Sequence, residues 1–473
     1  MSTLIISSHC WCRLPRLFIF ILLASILAGC GSGSGGGIGF NLGGGSGAAN
    51  PDTWTWVSGA NISNQASNYG MLGIVDAANI PGARSYSTTW IDSNGNLWLF
   101  GGLGRDNVGA YGNLNDLWRW DGTNWTWISG SKTVYQTGVY GTLDTPDASN
   151  VPGARQGAGG WIDSSDNLWL FGGGYEDGSN WRFNDLWRWD GTNWTWVSGT
   201  NTKNGAGTYG TKGTPNGANI PGARDGFASW RDSSGDFWLF GGKGYDKDVN
   251  SLDSLNDLWR WDGINWTWMS GSDVIIQPGV YGVKGTANGT NIPGARNSAV
   301  SWTDSNGDFW LFGGLGRDSV NSTGRLNDLW RWDGTNWIWV SGSNTINQIA
   351  SYGSLKTAKA SNLPGARFDA ISWTDSDDNL WLFGGSGFDS TGNTGGLNDL
   401  WRWDGANWRW VSGSNIRNQF STYGTRGVPD ADKQLGGRVA PLRWIDSSDN
   451  LWLLGGYDVM AGGEMNDLWK YEP

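Results

Sequence analysis

Between residues 309 and 342 the chain alternates short apolar runs with turn residues. Phe309-Trp310-Leu311-Phe312 ends in Gly313-Gly314, Leu329-Trp330-Arg331-Trp332 ends in Asp333-Gly334, and Trp337-Ile338-Trp339-Val340 ends in Ser341-Gly342. The pattern occurs six times, and each copy is preceded by a further run beginning at an arginine. In the first repeat the predicted strands are residues 84–90, 97–100, 117–120 and 125–128. Asn-Gly and Asp-Gly between apolar runs are strong hairpin signals, so each repeat predicts one four-stranded antiparallel sheet. Within 97–100 both faces are apolar, Leu97 and Leu99 against Trp98 and Phe100. Such a sheet must be covered on both sides, which stacking against like sheets in a radial array achieves while protecting their edges.

The repeat arginines Arg84, Arg155, Arg224, Arg296, Arg367 and Arg438 lie 69 to 72 residues apart. Residues 54–59 read as a fourth strand without its first three, and residues 468–473 as a third strand without its fourth. The two ends complement each other. The Gly-Gly doublet after an apolar strand, followed by an aromatic and then by a Trp after a further turn, resembles the kelch motif of β-propellers over residues 53–473. The resemblance implies an all-β, six-bladed kelch-type β-propeller with four antiparallel strands per blade, closed by strand 54–59 in the last blade. The repeat exceeds the usual kelch length of about 50 residues, and the surplus sits between each fourth strand and the next first strand.

The N-terminus belongs to another class. Residues 1–29 join Arg13 and Arg16 to an apolar run and small residues, the layout of an export signal. Leu27-Ala28-Gly29-Cys30 resembles the bacterial lipobox, which implies lipidation of Cys30 and a membrane-anchored lipoprotein, in the outer membrane of a Gram-negative cell because Gly31 follows the Cys. Residues 30–52 are Gly/Ser-rich and predict a tether with a span of roughly 25 Å, leaving the folded part at 53–473. Seventy-eight glycines and 37 tryptophans suit a chain of tight turns and short strands. The net charge of -11 is carried by Asp beside turns, since Glu176, Glu464 and Glu472 are the only glutamates. Without a basic run beyond the signal, nucleic acid is set aside as a partner, and a monomer is expected.

Repetition sorts the candidate chemistry: a residue in all six repeats answers a structural need, whereas one peculiar to a single repeat is a site candidate. Strand alternation places the inserts between second and third strands, and the long connections between repeats, on one face; loops of that kind on a rigid scaffold favour binding. Each repeat arginine is expected to pair within its own sheet with the Asp that opens the third strand: Arg84 with Asp116, Arg155 with Asp185, Arg224 with Asp257, Arg296 with Asp328, Arg367 with Asp399 and Arg438 with Asp467. The connections between repeats keep one length and place Tyr69, Tyr140, Tyr209, Tyr281, Tyr352 and Tyr423 at one offset, which predicts packed loops. The inserts vary, and supply Arg105, Tyr175, Glu176, Trp181, Tyr245, Lys247, Arg317, Arg325, Phe388 and Tyr457 as ligand-binding candidates.

Galactose oxidase shares the kelch resemblance, but its copper chemistry needs histidines and a Cys-Tyr crosslink. Here His9, Cys10 and Cys12 precede the expected cleavage and Cys30 is the lipid site. Neither a cofactor nor a metal is expected, and the Asp-Ser-Asn-Gly-Asn turns read as hairpins in place of calcium loops. The resemblance also includes a sialic acid epimerase that works without metal; Glu176 and Glu464, on inserts of repeats two and six, are the acid/base candidates for such chemistry. The expectation is a non-enzymatic scaffold binding protein or glycan at the long-loop face, with metal-free sugar enzymology and a structural envelope role as alternatives.

Overall fold

The computed structural model describes residues 52–175, 178–249 and 251–473. Cys30, the signal and the bulk of the tether lie outside the described residues, as does Glu176. Every regular element among the described residues is a strand. In the first repeat Leu97–Arg105 lies between Thr88–Ile91 and Tyr111–Trp120, with Trp125–Ser129 on the outer edge, all antiparallel. The other repeats use the same order, as in Val300–Thr303, Phe309–Arg317, Thr323–Trp332 and Trp337–Ser341. The last repeat supplies Leu442–Ile445, Leu451–Asp458 and Gly463–Glu472; the strand beside Gly463–Glu472 is Thr53–Ser58, with Trp56 opposite Trp469.

Short strands hold because their faces are aromatic. Trp118, Trp187, Trp259, Trp330, Trp401 and Trp469, one per repeat, are each fully buried. A buried Trp removes about 150–250 Å² from water, worth roughly 4–6 kcal/mol as an upper estimate. That is comparable with a whole four-residue ladder at about 1 kcal/mol per hydrogen bond. The apolar clusters form between sheets of successive repeats, as where Trp98 and Phe100 meet Leu168, Leu170 and Trp187. One cluster joins Leu97, Trp118 and Trp120 of the first repeat to Leu442, Trp444 and Leu468 of the last. First-strand tryptophans add polar links: Trp90 Nε1 donates to Trp169 O (3.1 Å), Trp302 Nε1 to Trp381 O (2.8 Å) and Trp444 Nε1 to Trp98 O (3.1 Å).

Two elements differ from their predicted form. The first strand is not continuous over 84–90: it splits into Arg84–Ser85 and Thr88–Ile91 around Tyr86, which has φ of 57°. The position two residues after each repeat arginine is left-handed throughout, at Tyr86, Gly157, Gly226, Ser298, Asp369 and Ala440. Each N–H there leaves the ladder and bonds the same position of the preceding repeat: Gly157 N to Tyr86 O (2.9 Å), Gly226 N to Gly157 O (2.9 Å), Ser298 N to Gly226 O (2.7 Å), Asp369 N to Ser298 O (3.1 Å) and Ala440 N to Asp369 O (2.9 Å). Tyr86 N completes the set by bonding Ala440 O at 3.3 Å.

The inserts are hairpins in place of irregular loops. In the first, fourth and last repeats the second strand runs on through the glycine pair, to Arg105, Arg317 and Asp458. In the others it resumes after a break as Gly174–Tyr175, Lys243–Gly244 and Ser386–Phe388. The pair forms a bulge in which Gly102 N bonds Arg155 O of the next repeat at 2.9 Å. A Cβ on Gly101 would lie 2.8 Å from that same carbonyl oxygen, so the approach requires glycine.

Candidate functional site

The repeat arginines sit at the base of the candidate face and are all engaged. Arg84 holds Asp116 with both terminal nitrogens at 2.8 Å and donates again to the Gly82 and Gly101 carbonyls. The equivalent contacts are Arg155 to Asp185 (2.6 Å), Arg224 to Asp257 (2.6 Å), Arg296 to Asp328 (2.7 Å), Arg367 to Asp399 (2.7 Å) and Arg438 to Asp467 (2.8 Å), every side chain buried. Burial works against the Arg84 charge, but Asp116 outweighs it and raises the guanidinium above its ordinary value. Tyr69 donates to Asp116 Oδ2 at 2.7 Å, which pins the connection between repeats to the same carboxylate. These groups are spent on one another and offer no ligand a free charge.

Above them, the residue three before four of those aspartates meets the residue following the next repeat's arginine. Arg182 bonds Asp225 (2.7 Å), Asn297 bonds Ser254 (3.0 Å), and Arg325 lies over Phe368 with its guanidinium carbon 5.0 Å from the ring centroid. Ser85 Oγ, in the same relation, donates to Glu464 Oε1 at 3.1 Å, and Tyr111 OH donates to that oxygen at 3.0 Å. Glu464 is 3 % exposed and burial pushes its carboxyl above the usual range. It is a buried acceptor between the last and first repeats.

The insert candidates divide into two groups. Several are tied locally: Arg105 stacks on Tyr111 (4.8 Å) and bonds Asn64 and Gly109 O, Lys247 pairs with Asp273, Arg317 with Asp253 (3.4 Å), and Arg325 reaches Phe388 (5.8 Å) and Ser386. Tyr245 is half-buried, and Tyr457 is 39 % exposed in the ladder opposite Glu464. Tyr175 and Trp181, by contrast, face each other across their two-residue strands, ring centroids 5.4 Å apart, and Tyr135 stacks on Tyr175 at 5.4 Å. Tyr135 also covers Gly112, where a Cβ would lie 2.5 Å from its ring. Tyr135, Tyr175 and Trp181 form one aromatic surface, with Tyr135 37 % exposed and the Lys203 ammonium over Trp181.

Tyr135 departs from its repeat. The equivalent Asn204, Asn347 and Asn418 accept the Arg182, Arg325 and Gly396 N–H groups through Oδ1 at 2.9, 3.0 and 2.9 Å, all with left-handed backbone. Asn adopts that conformation readily, whereas Tyr135 at φ of 62° and its third-repeat equivalent Ile276 at 64° hold it without the amide.

A cavity of about 440 Å³ is lined by first strands of all six repeats. Tyr86 OH donates across it to Asp369 Oδ2 at 2.6 Å. Burial pushes the Asp369 carboxyl above its ordinary range and the Tyr86 phenol well above its own. Sequence reasoning passed over Tyr86, Asp369 and Tyr135. The signal was present as variation: two positions after the repeat arginine the residues read Tyr, Gly, Gly, Ser, Asp and Ala. The turn carboxylates are saturated, Asp92 accepting the Asn94 and Asn96 N–H groups and Trp98 Nε1 at 3.0, 2.9 and 2.9 Å. Among the described residues no group of three His, Cys, Asp or Glu side chains is placed to hold a metal ion.

Repeated antiparallel sheets packed between successive repeats make this an all-β protein with a β-propeller-like arrangement. No family model matches the sequence and no curated protein matches it. Among solved structures the chain is similar to YjhT, with a TM-score of 0.47 and 15% identity over 82% of this chain and 95% of that one.

Proposed function

We propose that six sheets close into a six-bladed propeller through Thr53–Ser58, carried on a lipidated Cys30, and that its long-loop face binds a glycan without transforming it. The closed arrangement is supported by the cluster joining first and last repeats and by the Tyr86 N to Ala440 O bond. The observation that carries glycan binding is the Tyr135, Tyr175 and Trp181 surface, in which Tyr135 takes a left-handed backbone that four sister repeats give to Asn and one to Ile276. Strain retained at a surface position points to use of the side chain. Aromatic rings offer the flat apolar contact that the C–H face of a sugar requires, and their polar edges stay wet.

The full-length chain, screened on a glycan array, is expected to bind, and Tyr135→Asn to weaken binding at least about tenfold, the equivalent of 1.4 kcal/mol. Because Asn is the residue of four sister repeats at that position, its thermal midpoint should equal or exceed the wild-type value. Wild-type binding by both Tyr135→Asn and Trp181→Ala would defeat the reading. A second reading, metal-free sugar chemistry, is favoured by the Tyr86 and Asp369 pair inside the cavity. Turnover of a sugar that disappears in Asp369→Asn would select it.

A further inference from the structure

The central cavity shares Ser229, Ser301 and Arg443 with a second cavity of about 370 Å³ that also meets Arg231 and Thr374. Arg443 lies five positions after its repeat arginine, where the other repeats carry Thr89, Gly160, Ser229, Ser301 and Ser372. The level is therefore a belt of small residues, four of them hydroxyls and one Gly160, broken by one guanidinium. Three of the four belt hydroxyls have committed protons: Thr89 Oγ1 donates to Arg443 O (3.0 Å), Ser301 Oγ to Ser229 O (3.1 Å) and Ser372 Oγ to Ser301 O (2.9 Å). Among the described residues no carboxylate pairs with Arg443, unlike the six repeat arginines. Burial, with nothing to offset it, pushes its guanidinium down to about 10, which leaves it cationic at neutral pH.

A half-buried cation with no carboxylate partner is favoured by an anion that joins it. Its planar fork suits two parallel hydrogen bonds to one oxyanion. Three residues away along the strand from Ala440, it lies apart from the aromatic surface, and nothing about glycan binding enters the argument. We propose that Arg443 makes this part of the channel a binding site for a small oxyanion, carboxylate or phosphate, gripped through the guanidinium edge.

The test is a thermal melt of the full-length chain in sodium acetate and in sodium phosphate, each against sodium chloride at matched ionic strength and pH. The wild type should gain several degrees in one or both oxyanions over chloride, and the stronger arm identifies the class. Arg443→Met should melt in chloride at or above the wild type, because the uncompensated charge is gone, and should lose the oxyanion-specific gain. Arg443→Lys keeps a point charge without the fork and should bind at least about tenfold more weakly. Arg231→Met should retain the wild-type gain. No oxyanion-specific gain in the wild type, an equal gain in Arg443→Met, or loss of the gain in Arg231→Met would each overturn the proposal.

Discussion

Asp116 accepts four hydrogen bonds at once, two from Arg84, one from Tyr69 and one from Trp118 Nε1. Half of that hub was legible: an Arg and an Asp at the same level of one sheet, in every repeat, predict a pair. The tyrosine was legible only as a recurrent anchor, since its partner is set by how the long connection folds back. Asp369 was legible only as a position that varies between repeats, because nothing in its neighbours announces a left-handed residue or a phenol from a distant repeat. Its chemistry gives a pH prediction. Burial raises the Asp369 carboxyl from its ordinary value of 3.8, against the pull of hydrogen bonds from Tyr86 and Ser298. A carboxyl raised in the folded state favours folding at acid pH, and that contribution is lost as pH climbs from the unfolded value through the folded one. Melting temperature measured upward from pH 4 should therefore decline more steeply in the wild type than in Asp369→Asn. Superimposable profiles would show that the carboxyl ionises freely in the fold.

At the scale of the element, turns and strand cores followed from local pattern, whereas the broken first strand and the extended inserts did not. Both departures arise from bonds to a neighbouring sheet, Gly157 N to Tyr86 O and Gly102 N to Arg155 O. A single-sheet reading contains no such partner. The glycine ending each fourth strand separates local from tertiary demand. Gly130 and Gly122 both have positive φ, but a Cβ on Gly130 would lie 2.0 Å from Asn115 O, while Gly122 has nothing within 4 Å. Gly122→Ala is expected to cost about 1 kcal/mol from conformation alone. Gly130→Ala should exceed it by at least about 1–2 kcal/mol, because backbone must move to relieve the overlap. Urea denaturation of the two variants compares them directly, and equal midpoints would refute the close approach.

For the whole molecule the decisive question is how firmly the first strand belongs to the last sheet. Gly59 stands 2.0 Å, as a built Cβ, from Asn466 O, repeating the Gly130 contact with Asn115 across the chain ends. Trp54, 5 % exposed, packs on Tyr471 and Phe383 as its equivalent Trp125 packs within the chain. Trp54→Ala should thus destabilise as strongly as Trp125→Ala, by about 3–5 kcal/mol. A near-neutral Trp54→Ala, read from denaturation midpoints, would mean that the terminal strand frays and the ring is open. By itself the sequence determined the strand type, the turns, the repeat count and the complementary ends, because these rest on residue spacing and backbone preference within a few positions. Only the tertiary structure decided which variable residues share a surface or a cavity. Tyr135 meets Tyr175, Tyr86 meets Asp369 and Arg443 meets no carboxylate among the described residues because separate repeats are brought side by side, and spacing along one chain carries no information about that.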